Sequence, residues 1–363
     1  MNDLLERLDD LDDREPFTPS PELLASARRR GRTIRRRRRL GALAVAVPIL
    51  LLATALGASA YVDHRADEVH RVTTAAGVLA PEDGQPFNVL LVGTDGPRGQ
   101  AGVRTDAIVV VHVDRAAGKL SLVSVPRDLV WSATSPRIDS VLGMQGPSAL
   151  IEELESHLDI QISHYVEIDE PGLAALVDHV GGVRVHTEGD LLDPTVGLDL
   201  PAGCSTLDGA TVVALARSRH LEQRDPATGR VELDATSDLG RELRQRVLLE
   251  AIWQELRVMP EDLSSLTTLV DVFADHTTID AGLSRSELVS LLRWGRHLHE
   301  SYSMVLPVDP FVAPGGADVL RLDPARAPSI IDTYLGGDAP AVTGVTEAQP
   351  PGPPPFMIGL TPC

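Results

Sequence analysis

Apolar residues in this chain occur as one long uncharged block, as strand-length clusters, and as positions at helical spacing. The block is Leu40–Val62, 23 residues without a charge. As a helix rising about 1.5 Å per residue it would span roughly 34 Å, enough to cross a hydrocarbon core. Strand signals follow at Val89–Val92, Ala107–Val113 and Leu120–Val125, each rich in Val, Ile and Leu. Asp114–Gly118 reads as a turn joining the last two as a hairpin, so a mixed sheet is predicted. The pattern then predicts a helix over Pro147–Leu158, a strand at Tyr165–Ile168, a helix over Pro171–His179 opened by its proline, and a strand at Val183–His186. A helix over Leu207–Ala214 runs on into Leu215–Arg219. From Asp238, the spacing of Leu243, Val247, Ala251 and Ile252 predicts a long amphipathic helix to Val258. Residues 260–306 predict two more helices, Ser284 capping Arg285–His297. From Pro307 the chain turns Pro- and Gly-rich, and Ala348–Pro362 reads as extended. Helices alternating with strands predict an α/β fold, a central mixed β-sheet flanked by helices, preceded by one N-terminal transmembrane helix.

Charge gives this layout a direction. Residues 1–39 carry 11 Arg against 8 acids, while residues 61–363 carry 22 basic against 44 acidic residues. Nine of the twelve residues Arg28–Arg39 are arginine, and a basic block before an apolar span stays cytoplasmic. The expected organisation is a cytoplasmic arm (1–39), a transmembrane helix (40–62), a stalk (63–85), an extracytoplasmic catalytic domain (86–310) and a Pro/Gly-rich extension (311–363). The alternative, a signal peptide cleaved near Ala58-Ser59-Ala60, exports the same domain. With 3% aromatic residues the chain has little to stack on bases, which argues against nucleic-acid binding. Cys204 and Cys363 are the only two cysteines. Outside the membrane such a pair reads as one disulfide, with two unrelated thiols as the alternative.

The candidate chemistry lies in acids and arginines set at element ends: Gly93-Thr94-Asp95, Arg104-Thr105-Asp106, Val125-Pro126-Arg127-Asp128, Arg217-Ser218-Arg219 and the segment from Asp238 through Arg241, Arg244 and Gln245. Adjoining strands lie about 4.8 Å apart, so Asp95 and Asp106 at neighbouring ends can share one Mg²⁺. Arg217 and Arg219, two apart, face the same side if the chain there is extended, and can grip a pyrophosphate together. Arg241, Arg244 and Gln245 share a face near a helix start, where cations oppose the helix dipole at a cost of about 0.3–1 kcal/mol each unless an anion sits between them.

The ordered set, from about Phe87 to Val258, resembles the LytR-CpsA-Psr family of cell-envelope phosphotransferases. The resemblance implies a ligase that moves a glycopolymer from an undecaprenyl-pyrophosphate carrier onto peptidoglycan. It further implies Mg²⁺ held by Asp95 and Asp106, phosphate charge met by Arg127, Arg217, Arg219, Arg241 and Arg244, and Gln245 orienting the phosphates. An apolar groove for the prenyl chain belongs to the same expectation. The alternatives are a non-catalytic binder of polyprenyl phosphates or wall polymer, and a hydrolase using water as acceptor. The chain departs from the family pattern where Gly96-Pro97 displaces Arg98, at Arg137-Ile138-Asp139, at Leu239 and Arg246, and in the hydrophilic insertion His220–Thr236.

Overall fold

A computed structural model describes residues 70–72, 78–80, 86–96, 103–234, 238–258, 271–272, 275–296, 298, 300–336 and 360–363, all within one compact unit, Tyr61–Cys363. In chain order the first half runs β1 (His70–Val72), β2 (Phe87–Thr94), β3 (Thr105–Asp114), β4 (Lys119–Ser124), α1 (Ile138–Gln145), α2 (Pro147–Leu158), β5 (His164–Asp169), α3 (Glu170–His179), β6 (Val183–Thr187), β7 (Asp190–Asp193) and β8 (Leu198–Leu200). The second half runs β9 (Gly203–Leu207), α4 (Gly209–Arg217), β10 (Glu222–Arg224), β11 (Val231–Leu233), α5 (Asp238–Val258), β12 (Thr277–Asp280), α6 (Arg285–Arg296), β13 (Glu300–Val305), β14 (Val308–Val312), β15 (Asp318–Leu322), α7 (Ala327–Tyr334) and β16 (Leu360–Pro362).

Seven strands form the central sheet in the order β1-β12-β5-β2-β3-β4-β13. It is mixed: β2 runs parallel to β5 and antiparallel to β3, and β4 is antiparallel to β3 and parallel to β13. The middle stretches of β2 (Val89–Val92) and β3 (Ala107–Val111) are continuously apolar because helices cover both faces of the sheet. On one face Leu90, Val92, Ile108, Val110 and Val123 pack with Ile138 and Val141 of α1, Leu150, Ile151 and Leu154 of α2, and Ile331 of α7. On the other, Val89, Val109 and Val111 meet Leu249 and Trp253 of α5 and Leu291 and Trp294 of α6. A third cluster unites β6–β9, α3 and α4 with Leu248, Ala251 and Ile252 of α5, so this one helix serves two cores.

The predicted β2, β3 and β4, the hairpin between β3 and β4, and helix α2 are present where the pattern puts them. Other expectations give way to tertiary pairing. Leu207 ends β9, and Asp208 caps α4 by accepting from Thr211 N, so that helix starts after the expected Leu207. The described part of 260–306 holds one full helix, α6, with β12 and β13 on either side, because open edges beside β5 and β4 recruit those segments as strands. Ser284 does cap α6, accepting from Glu287 N. The expected stalk, 63–85, supplies β1, which pairs with β12. The expected boundary after residue 310 falls inside β14, and the chain beyond it returns to the core through Ala327, Ile331 and Leu335. The insertion His220–Thr236 forms the hairpin β10–β11, added to β7 and β8 as a four-stranded sheet. Residues 1–62, the Arg98 loop, the side chain of Leu239 and most of Ala348–Pro362 lie outside the described residues. Among the described residues no helix is long and apolar enough to cross a membrane.

The C-terminus is fixed twice. β16 pairs antiparallel with β6, burying Leu360, and Cys363 forms a disulfide with Cys204 of β9 on the other side of β6. With 159 residues of separation, the crosslink stabilises the fold by up to about 5 kcal/mol in the chain-entropy model. Peptide mapping without reductant should recover Cys204 and Cys363 in one crosslinked species; free alkylation of both thiols in the folded protein would contradict the pairing. Where α3 crosses α4, a Cβ on Gly209 would stand 2.2 Å from the Ala174 carbonyl oxygen. Gly209→Ala should therefore lower unfolding stability by about 1–3 kcal/mol in urea titration, and an unchanged midpoint would count against that close approach.

Candidate functional site

The two predicted acids sit beside an irregularity in the sheet. β2 and β3 pair regularly to Gly93↔Ala107 and then shift to Thr94↔Thr105, leaving Asp106 with no residue opposite. Such a bulge re-aims a side chain at the end of a strand. Gly93 permits the close approach, since a Cβ there would lie 3.3 Å from that of Ala107. Asp95 follows β2 directly, with its Oδ1 accepting from Arg104 N at 2.9 Å and its own N donating to the Arg104 carbonyl at 3.2 Å. Those two bonds hold together the strand ends that carry both acids.

Asp106 is the meeting point of two arginines from distant elements. Arg127, just past β4, donates through Nη1 to Asp106 Oδ1 at 3.1 Å, and Arg241 in the first turn of α5 brings its Nη1 to 4.0 Å from the same oxygen. Both guanidinium groups are buried, at 5% and 2% exposure, so one carboxylate faces two desolvated cations.

Arg217 and Arg219 reach the site from a helix end, which corrects the extended geometry expected for them. Arg217 is the last residue of α4, and Ser218 leaves the helix at φ −56°, ψ 128°. Arg217 pairs with Glu170 Oε2 at 3.1 Å and remains 53% exposed. This exit turn is braced by Asp193, whose carboxylate accepts from Ser218 Oγ at 2.6 Å, His220 N at 3.2 Å, and Thr195 N at 3.0 Å. Burial opposes charge on Asp193, but the hydrogen bonds from Ser218 and Thr195 outweigh it and hold the carboxyl below its usual range.

Arg244 and Gln245 brace the turn from α5, and Gln245 also lines a small gap beside Asp106 and Arg127. Arg244 pairs with Asp234 and donates through Nη2 to the Ser218 carbonyl, while Gln245 Nε2 donates to the Ala216 carbonyl at 3.1 Å. Arg246 points another way, donating to Ser303 O of β13 at 3.1 Å. One helix thus presents Arg241 to Asp106 and fastens the segment that carries Arg217 and Arg219.

Asp95, Asp106, Arg127, Arg217, Arg219 and Arg241 line a single cavity of about 390 Å³. Arg104, Thr195, Val196 and His220 complete the lining. Arg104 stood inside the Arg-Thr-Asp motif and His220 directly follows Arg219, whereas Thr195 and Val196 carry no sequence signal, since they arrive through the loop after β7. Glu170 is a further acid that the sequence did not flag. Burial raises its carboxyl above the ordinary range; Arg217 opposes the shift, and Asp106, Asp95 and Asp169 add to it. Among the described residues no group of three or more His, Cys, Asp or Glu side chains is arranged to hold a metal ion. Mg²⁺ is commonly held by one or two carboxylates together with substrate phosphates and water, and Asp95 and Asp106 both line the cavity.

Comparison with known proteins agrees with the fold. A probable cell wall biosynthesis protein, LcpB of Corynebacterium glutamicum, is 35% identical over 182 residues, covering 46% of this chain and 41% of that protein. A polyisoprenyl-teichoic acid–peptidoglycan teichoic acid transferase, TagU of Enterococcus faecalis, is 28% identical over 213 residues, covering 57% of this chain and 65% of that protein. The matches thus span less than two thirds of either relative's length. The solved structure of a LytR-Csp2A-Psr enzyme from Actinomyces oris superposes with a TM-score of 0.59 at 23% identity, over 73% of this chain and 95% of that one, which is a likeness of fold. The LytR_cpsA_psr family profile matches residues 52–305, a span that takes in every residue lining the charged cavity, and the chain belongs to the LytR-CpsA-Psr family.

Proposed function

We propose that this chain is a membrane-anchored, Mg²⁺-dependent phosphotransferase that moves a glycopolymer from a polyprenyl-pyrophosphate carrier, of the undecaprenyl type, to peptidoglycan. The observation that carries the reading is the convergence of Asp95 and Asp106 with Arg104, Arg127, Arg217, Arg219 and Arg241 on one cavity. Such a set suits a ligand with several negative charges close together, and a pyrophosphate has that character. The similarity to LcpB, a probable cell wall biosynthesis protein, and to TagU, a teichoic acid transferase, supports wall-polymer chemistry as the class. A small gap of about 10 Å³, lined by Ala107, Ile108, Val109, Ser124, Val125, Gln245 and Leu249, adjoins the cavity through Asp106 and Arg127; it has room for about one water, not for a prenyl chain.

In the reaction, an acceptor hydroxyl oxygen attacks the phosphorus that bears the glycopolymer. A new P–O bond forms, the bond from that phosphorus to the bridging oxygen breaks, and polyprenyl monophosphate leaves. The hydroxyl proton passes to a carboxylate at the cavity. Phosphoryl transfer of this kind depends on positioning and charge stabilisation, which the buried Arg127 and Arg241 provide without reorganising. Arg217 and Arg219, at the exposed side, would orient the pyrophosphate as it enters. Asp95 and Asp106 would hold Mg²⁺, which would offset phosphate charge when bound. Leu40–Val62 would anchor the chain, with its N-terminus cytoplasmic and the folded unit outside the membrane.

Asp106→Ala should lower polymer attachment to peptidoglycan by about 10²-fold or more while circular dichroism remains that of a folded protein. Unchanged attachment by the variant would overturn the role given to this acid. Product analysis also separates the other activities: polymer on peptidoglycan supports transfer, whereas free polymer means hydrolysis and intact lipid-linked polymer means binding alone. Removing divalent ions with EDTA should stop transfer and adding Mg²⁺ should restore it, and full activity in EDTA would exclude the metal role.

A further inference from the structure

Outside the cavity, the most unusual ionisable group is Asp139, in the first turn of α1. It is fully buried, and neither carboxyl oxygen has a hydrogen-bond partner. Its backbone N donates to the Arg127 carbonyl at 3.1 Å, so it lies directly behind the strand end that delivers Arg127.

From this acid a series of alternating charges leads to the cavity. Arg137 Nε stands 3.6 Å from Asp139 Oδ1, while Arg137 Nη1 stands 2.9 Å from Asp128 Oδ1. Asp128 Oδ2 lies 3.7 Å from Arg127 Nε, and Arg127 Nη1 is on Asp106. Arg137 is thereby divided between two acids, and Asp128 between two arginines.

We infer that Asp139 is a positioning residue that acts through Arg137 and Asp128 to set how much positive charge Arg127 offers to a pyrophosphate in the cavity. The inference rests on the pyrophosphate reading given above. With Asp139 ionised, Arg137 is partly neutralised by it, and Asp128 is left freer to draw on Arg127. With Asp139 neutral, Arg137 belongs to Asp128 alone, and the cavity gains one unit of positive charge in its surroundings. The charges facing Asp139 are Arg137, Asp128, Arg127 and Arg104. Burial raises its carboxyl above the ordinary range most strongly, Arg137 opposes the shift, Asp128 adds to it, and Arg127 and Arg104 oppose it. The start of α1 also favours the anion. Asp139 therefore takes up its proton at a higher pH than an ordinary aspartate.

Asp139→Asn keeps the shape and removes the charge. Binding of inorganic pyrophosphate with Mg²⁺, measured by calorimetry for wild type and variant between pH 4.5 and 7.5, tests the inference. The ionisation of pyrophosphate is common to both measurements and cancels in the ratio of the two affinities. At pH 7.5 the variant should bind about 3- to 10-fold more tightly, and the ratio should narrow toward one as the pH falls. A ratio of one at pH 7.5, or one that does not change with pH, overturns the inference. Failure of both proteins to bind pyrophosphate overturns the pyrophosphate reading, and this inference with it. Thermal unfolding gives an independent readout of the titration. A carboxyl raised by folding contributes stability below the ordinary range, about pH 3.9, that is lost as pH rises through the folded value. The variant should therefore gain stability over wild type at pH 7.5 and lose that advantage near pH 4.5; a gain independent of pH would show that Asp139 does not titrate in this range.

Discussion

One carboxylate facing two buried guanidinium groups is the constraint around which this structure is arranged. Asp106 leaves the ladder at the β2–β3 bulge and meets Arg127 from the end of β4 and Arg241 from the start of α5. Burying a guanidinium is costly unless a carboxylate or a bound anion compensates, and here two share one oxygen of Asp106. The cavity is lined by five arginines and two aspartates, a composition suited to an anion.

Holding those arginines in place requires support from behind. Asp193 gathers Thr195, Ser218 and His220 into one turn, and Arg244 and Gln245 grip the carbonyls of Ser218 and Ala216 from α5. Arg217 and Arg219, both exposed, are thus mounted on a fixed backbone. The hairpin β10–β11 takes part through Asp234, the ion-pair partner of Arg244. What reads in sequence as a hydrophilic insertion is tied to the same turn.

Helix α5 links the cores as well as the charges. Its outer turns pack Leu248, Ala251 and Ile252 into the lobe of β6–β9, α3 and α4, while Leu249 and Trp253 cover the central sheet. Because Arg241 opens this helix, any shift between lobe and sheet would move Arg241 relative to Asp106. The disulfide and β16 secure the lobe's own sheet on both sides of β6, which limits such a shift.

The sequence by itself determined the class of the fold, the central strands β2–β4, the start of α5, and the residue types of a polyphosphate site. These are legible because apolar periodicity is local, and because several arginines set at element ends together point to anionic ligands. It did not determine β1, β12 or β13, whose short segments become strands only because partner edges are waiting for them. Nor did it separate the residues that line the cavity from those behind it. Arg241 and Arg244 lie on the same helix with the same chemistry, yet one faces Asp106 and the other faces Asp234 and Ser218. That distinction, like the arrival of Glu170 and Thr195 at the site, was decided by the tertiary structure, since direction and distance between elements far apart in the chain exist only once the lobe has packed against the sheet.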